Sequence, residues 1–125
     1  MPKIFLIDDE KAMTQLVGAL LGIRGYAMTS ENDPNEGLRR LLDEDCDAII
    51  VDLMMPGMDG LALVGSLRES PRHARTPIVV LSGKNLSDAE RKALLIHKVR
   101  FVPKPITPSK LMEVVRESLR PSSVS

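Results

Sequence analysis

Carboxylates stand where the apolar runs of this 125-residue sequence break off. Asp8, Asp9 and Glu10 follow the run from Lys3 to Ile7, and Asp52 closes the run "AIIV", Ala48 to Val51, just before the turn "MMPGMDG". Two other runs end differently, "TPIVVLSG" in Ser82 and Gly83 and "VRFVPK" in Lys104, with Pro105 after it. An unpaired carboxylate at the end of a buried strand costs on the order of several kcal/mol in desolvation, so Asp52 needs a partner. Crowded acids raise one another's pKa unless a cation joins them, and a hard divalent ion such as Mg²⁺ takes oxygen ligands of this kind while keeping waters. Phosphoryl transfer asks for that metal, a second positive group, and a hydroxyl or N–H donor for the phosphoryl oxygens. Lys104 and Ser82 fit those two roles. No Ser-His or Cys-His pair is suggested, because His73 falls in a polar loop between Pro71 and Pro77 and His97 at a helix end. The best-placed nucleophile is then a carboxylate, Asp52, whose attack on a phosphoryl donor gives an acyl phosphate.

Only a particular fold can bring residues so far apart to one rim, and the hydrophobic pattern describes it. After the strand "KIFLI", Ala12, Leu16, Val17, Leu20, Leu21 and Ile23 recur at helical spacing until Gly25. "YAMTS" is a weaker strand. Asp33 is expected to cap the next helix, with Pro34 at its first position, Glu36 closing a capping box, and Leu38, Leu41 and Leu42 as its buried stripe. The strand "AIIVDL" follows, then a helix opened by Asp59 and Gly60, with Leu61, Leu63, Val64 and Leu67 inward, stopped by Pro71. "TPIVVLSG" is too apolar to be half exposed. Ser87 and Glu90 form a capping box for a helix through Ile96, "VRFVPK" is the last strand, and Thr107 with Pro108 starts a final helix carrying Leu111, Val114, Val115 and Leu119. Alternating strands and helices with near-continuously apolar strands imply α/β architecture: a doubly wound, five-stranded parallel sheet with helices on both faces. Such sheets bind ligands at the carboxyl ends of their strands, where all the residues named above would meet.

Composition limits the alternatives. Basic and acidic residues balance at 17 each, so the overall charge suggests no polyanion-binding surface and makes nucleic acid an unexpected direct partner. Aromatics are 2%, with no Trp, leaving no stacking platform for bases. Cys46 is alone and fits a reducing compartment. No apolar run approaches the ~20 residues of a membrane span, so a cytoplasmic, membrane-free protein is expected. One domain over residues 1–120 with a polar tail at 121–125 accounts for the length. Arg72, His73 and Arg75 are expected to lie in a solvated connection.

Asp8-Asp9, "DLMMPGMDG" with Asp52, "LSG" with Ser82, Phe101, and Lys104-Pro105 together resemble the receiver domain of two-component response regulators, from about Lys3 to Leu119. The resemblance implies a flavodoxin-like, chemotaxis-type sheet of order 2-1-3-4-5, with Asp52 as phosphoacceptor. It implies that Asp9, Asp52 and the backbone carbonyl of Met54 bind Mg²⁺ directly and Asp8 through water. Ser82 and Lys104 would hold phosphoryl oxygens, with Ser82 and Phe101 as the switch pair. Such a domain is a phosphoacceptor that promotes its own phosphorylation and dephosphorylation rather than an enzyme acting on other substrates. Its partners would be a sensor histidine kinase or phosphotransfer protein and an output protein or domain, with the receiver itself a monomer or weak dimer. Met54 and Lys84 flank the approach of a hydrolytic water, and Met54 cannot orient that water, so both are expected to lengthen the life of the phosphoryl group.

The sequence departs from the family pattern at three points. His97-Lys98 stands where receivers commonly have Gly-Ala, Gly83 replaces the usual Ala, and Phe101 lacks the hydroxyl of Tyr. Glycine before the last strand permits a left-handed backbone that His tolerates less well. Two function classes follow: a phosphorylation-controlled switch, or a pseudo-receiver that keeps the fold as an interaction module and ignores phosphate. A nucleotide-binding enzyme lacks support, because no "GxxxxGK[ST]" loop is present.

Overall fold

A computed structural model describes residues 1–120; the tail expected at 121–125 lies outside the described residues. In chain order the elements are β1 (Lys3–Ile7), α1 (Lys11–Ile23), β2 (Ala27–Glu31), α2 (Pro34–Leu41), β3 (Ala48–Asp52), β4 (Met54–Met55), β5 (Met58–Asp59), α3 (Gly60–Glu69), β6 (Ile78–Ser82), α4 (Asp88–Ile96), β7 (Arg100–Pro103) and α5 (Pro108–Ser118). The main sheet is five-stranded and parallel in the order β2-β1-β3-β6-β7. This is the doubly wound, flavodoxin-like arrangement expected from the sequence. The small antiparallel hairpin β4-β5 was not anticipated; Pro56 and Gly57 form its turn, with Gly57 at φ +82, a backbone open to glycine at little steric cost.

The central strands β3 and β6 are buried at every residue, which is why they read as unbroken apolar runs. Successive residues point to opposite faces. Phe5, Ile7, Ile49, Val51, Ile78 and Val80 meet Leu41 of α2, Leu63, Val64 and Leu67 of α3, and Leu94 of α4. Ile4, Leu6, Ile50, Val79 and Leu81 face the other way, against Val17 and Leu21 of α1 and Leu111, Val114 and Val115 of α5. Gly60 lets α3 lie against the chain leaving β3, since a Cβ there would stand 2.9 Å from the Cα and carbonyl oxygen of Leu53.

Local details depart from the sequence pattern. Asp33 caps α2 by accepting from the Asn35 N–H, but Glu36 pairs with Arg39 instead of completing a box. Leu42 caps the end of α2 and is exposed, as are Leu16 and Ile23 of α1, whose inner face is Thr14, Val17 and Leu21. The Ser87–Glu90 capping box forms on both sides as expected. The left-handed residue after α4 is Lys98, at φ 54, while His97 keeps a right-handed conformation. The Lys98 N–H bonds to Leu95 O and the Val99 N–H to Leu94 O, the same closure that Gly25 makes after α1.

His73 is the main correction. It is only 1% exposed, not solvated. Its Nε2 lies 2.5 Å from Leu41 O and 3.1 Å from Glu44 O, and Nδ1 lies 3.1 Å from Thr76 Oγ1. Because both Nε2 partners are carbonyls, Nε2 carries the proton and ties the α3–β6 connection to the end of α2. Arg72 reinforces that tie, donating to Leu42 O and pairing with Asp45 at 2.7 Å.

Candidate functional site

The candidate acids, hydroxyl and ammonium sit at or just beyond the carboxyl ends of the parallel strands. Asp8 follows β1, Asp52 ends β3, Ser82 ends β6 and Lys104 follows β7. Ladder continuations fix the spacing: Leu53 N–H donates to Leu81 O at 2.8 Å and Lys104 N–H to Ser82 O at 2.8 Å. The Lys104-Pro105 peptide is cis.

The Lys104 ammonium lies 3.1 Å from Asp52 Oδ2 and 3.7 Å from Asp8 Oδ2. Asp52 Oδ1 accepts the Met54 N–H at 3.1 Å, so the turn after β3 holds the carboxylate from one side and Lys104 from the other. Asp8 Oδ1 accepts the Glu10 N–H at 2.9 Å, whereas its Oδ2 is buried with no hydrogen-bond partner. One carboxylate oxygen each of Asp8, Asp9 and Asp52 lie within 4.8 Å of one another. A buried, orphaned oxygen beside two more carboxylates fits a hard divalent cation. Asp8 and Asp52 are buried and Asp9 is exposed, leaving the cluster open on one side.

The charges answer to this geometry. Burial pushes the Asp8 carboxyl above its ordinary value, and the neighbouring Asp52 and Asp9 push the same way, against the Glu10 N–H and Lys104. Burial works against the charge of Lys104, but its hydrogen bond to Asp52 and the attraction of Asp8 and Asp52 prevail and raise its pKa. For Asp8 the folded state holds its proton more tightly than the unfolded chain does. The metal-free protein therefore loses stability as pH rises above 3.8 toward the raised value, and the penalty is complete beyond it. Asp8→Asn should remove this slope and stabilise the metal-free protein at neutral pH by on the order of 1 kcal/mol. Urea titrations at several pH values would show it; a variant less stable than the parent at neutral pH would contradict it.

Ser82 is 1% exposed, and its Oγ accepts the Lys84 N–H at 3.2 Å. Phe101 is half-buried against the α3–α4 face of the core. Met54 is 53% exposed and shares with Lys84, Leu53, Met55 and Pro56 the lining of a shallow cavity of 410 Å³ beside Asp52. The Lys84 ammonium pairs with Glu90 at 2.7 Å. That pair and the Ser87 N–H hold the Glu90 carboxyl down at about 2.

Sequence reasoning missed Asn32. Its side-chain amide donates to Asp8 O at 2.7 Å and approaches Thr14 Oγ1 at 3.5 Å, fixing the main chain that carries the acid pair. Its place at the end of β2, on the same rim, was the available signal. Cys46 is half-buried and unpaired, and burial pushes its thiol up to about 12, so it stays protonated. No helix among the described residues is long and apolar enough to cross a membrane.

Similarity to known proteins follows the same lines. The sequence model of the response regulator receiver domain matches residues 4–116. The transcriptional regulatory protein HprR of Escherichia coli is 32% identical over 118 residues, 94% of this chain and 52% of that protein. The sensory/regulatory protein RpfC of Xanthomonas campestris is 32% identical over 117 residues, 92% of this chain but 16% of that protein. The chain thus spans about half the length, or less, of these curated relatives. Among solved structures, the chemotaxis response regulator CheY4 of Vibrio cholerae superposes with a TM-score of 0.86 at 27% identity, covering 95% of this chain and 99% of that one. With fold, rim and sequence in agreement, this chain belongs to the receiver-domain family of two-component response regulators.

Proposed function

We propose that this receiver is a phosphorylation-controlled protein-interaction switch in which Asp52 takes a phosphoryl group in a Mg²⁺-dependent reaction. The observation that carries the reading is the shared ammonium: Lys104 lies within 4.0 Å of two buried carboxylates, one of which, Asp8, keeps an oxygen with no other partner. Asp9, Asp52 and the Met54 carbonyl would hold Mg²⁺ directly and Asp8 through water. When bound, the ion neutralises charge on the transferring phosphoryl group.

The chain's own residues do the rest. An Asp52 carboxylate oxygen attacks phosphorus as the bond to the donor's leaving group breaks, and the product is an aspartyl phosphate. Lys104 then exchanges its bond with Asp52 for one with a phosphoryl oxygen, and the Ser82 hydroxyl donates to another. Because Ser82 Oγ also accepts from the Lys84 main chain, a turn of that hydroxyl toward the phosphate reorders the loop before α4 and gives Phe101 room to move inward. The partly apolar Met54 wall and the Lys84 stem shield the acyl phosphate from water and lengthen its life. The domain is no separate enzyme: it promotes its own phosphorylation and dephosphorylation. A sensor histidine kinase or phosphotransfer protein supplies the phosphoryl group, and an output protein or domain reads the result, in the cytoplasm, with the receiver a monomer or weak dimer and no direct nucleic-acid contact by these residues.

Mg²⁺ together with beryllofluoride, a phosphoryl mimic, should raise the melting temperature by roughly 5 °C or more at saturation. A melting temperature unmoved by the pair would count against the reading.

A further inference from the structure

The end of the sheet opposite the acids holds a second polar cavity, and nothing in the phosphorylation chemistry uses it. It measures 640 Å³ and lies between the α3–β6 connection and the end of α4. Arg68, Arg75, His97 and Lys98 line it, with Pro77 and Ile96 as an apolar wall, and no carboxylate does so. Among the described residues Arg68, Arg75 and Lys98 form no ion pair.

Arg68 is the anchor. Its Nε donates to His97 O at 2.8 Å, and its Nη1 donates to His73 O and Thr76 O at 2.8 and 2.6 Å. Nη2 has only Lys98 O, at 3.5 Å. The five donors of a guanidinium are thus not all used, and a half-buried positive charge is met by carbonyl dipoles alone. Those carbonyls fix the guanidinium, so an incoming anion finds Nη2 already oriented. Lys98 lines the cavity from a left-handed backbone, φ 54, a conformation costly for a residue with a side chain. Arg75 reaches the cavity from the loop that His73 pins. Three cations converge from three segments, without a counter-charge, on a cavity of ordinary small-ligand size.

We propose that this cavity binds a small molecule carrying two or more phosphate groups, with Arg75, Lys98 and Nη2 of Arg68 as its cationic contacts. Both inorganic tripolyphosphate and ATP have that chemistry. The His97 ring and the Pro77–Ile96 wall would add contacts to a nucleoside that the inorganic anion cannot make.

The test is an NMR titration of the full chain with tripolyphosphate and, separately, with ATP, with EDTA present and ionic strength held constant. Saturable shifts are expected in residues 68–77 and 94–98, with the rim around Asp8, Asp52 and Lys104 unmoved. Equal affinity for the two probes identifies an oligophosphate site; tighter ATP binding identifies a nucleotide site. Lys98→Gly removes one charge while relaxing the left-handed backbone, so weaker binding in it is not a folding defect; with Arg75→Gln added, binding should weaken roughly tenfold or more. Shifts that fail to saturate, that centre on the rim, or that persist unchanged in the double variant would overturn the proposal.

Discussion

Lys104→Met is expected to slow phosphorylation by a small-molecule donor such as acetyl phosphate by roughly a hundredfold or more. The loss of one positioned donor to a developing anionic oxygen commonly has an effect of that size. Here the same ammonium also separates Asp52 Oδ2 from the orphaned Asp8 Oδ2, so the variant leaves two buried carboxylates facing each other. The ion pair has its own pH dependence. A lysine whose pKa is raised on folding contributes its full stabilisation below the ordinary value of 10.5 and loses it only as pH climbs through the raised one. The variant should therefore be less stable than the parent at neutral pH, with the gap closing in strong alkali. Single-turnover phosphorylation rates and alkaline unfolding curves measure the two effects. Phosphorylation at the parental rate would show that Lys104 is a surface charge and no part of the chemistry.

His73→Ala should be costly to the fold, destabilising it by about 2–4 kcal/mol. The substitution empties a fully enclosed position and strips the Leu41 and Glu44 carbonyls of their imidazole donor. The Thr76 hydroxyl loses its imidazole contact as well and keeps only Arg72 O, at 3.5 Å. Chemical denaturation gives the number, and a change below about 0.5 kcal/mol, the usual range of a surface substitution, would contradict the tie described for the α3–β6 connection. Since His73 stands far from the acids in the fold, Mg²⁺ binding by the folded variant should be unchanged.

The contrast between these two residues shows what the sequence can express. Lys104, Asp52 and Asp8 were legible because a parallel sheet sends every strand end to one rim, so a charged residue directly after an apolar run is located by topology alone. The caps of α4 and α5 were legible because their donors and acceptors lie three residues apart. His73 was not: its partners lie 32 and 29 residues upstream, and nothing local distinguishes it from a solvated loop residue. Arg68 hid for the same reason, its acceptors lying on the loop after α3 and beyond α4. The stripe of α2 ran one residue too far at Leu42 because apolarity continues past the point where the helix ends. Lys84 was expected to flank the approach of a hydrolytic water; the pairing of its ammonium with the Glu90 carboxylate, on the first turn of the next helix, was not anticipated.

The central claim is that Asp52 carries the phosphoryl group, and intact-mass measurement after incubation with acetyl phosphate and Mg²⁺ tests it most directly. The parent should gain the mass of one phosphoryl group, lose it to hydroxylamine as an acyl phosphate does, and gain none when Mg²⁺ is chelated. Asp52→Asn, folded and otherwise intact, should gain nothing. Labelling of Asp52→Asn equal to the parent's, or a folded parent that stays unlabelled with Mg²⁺ present, would contradict the account.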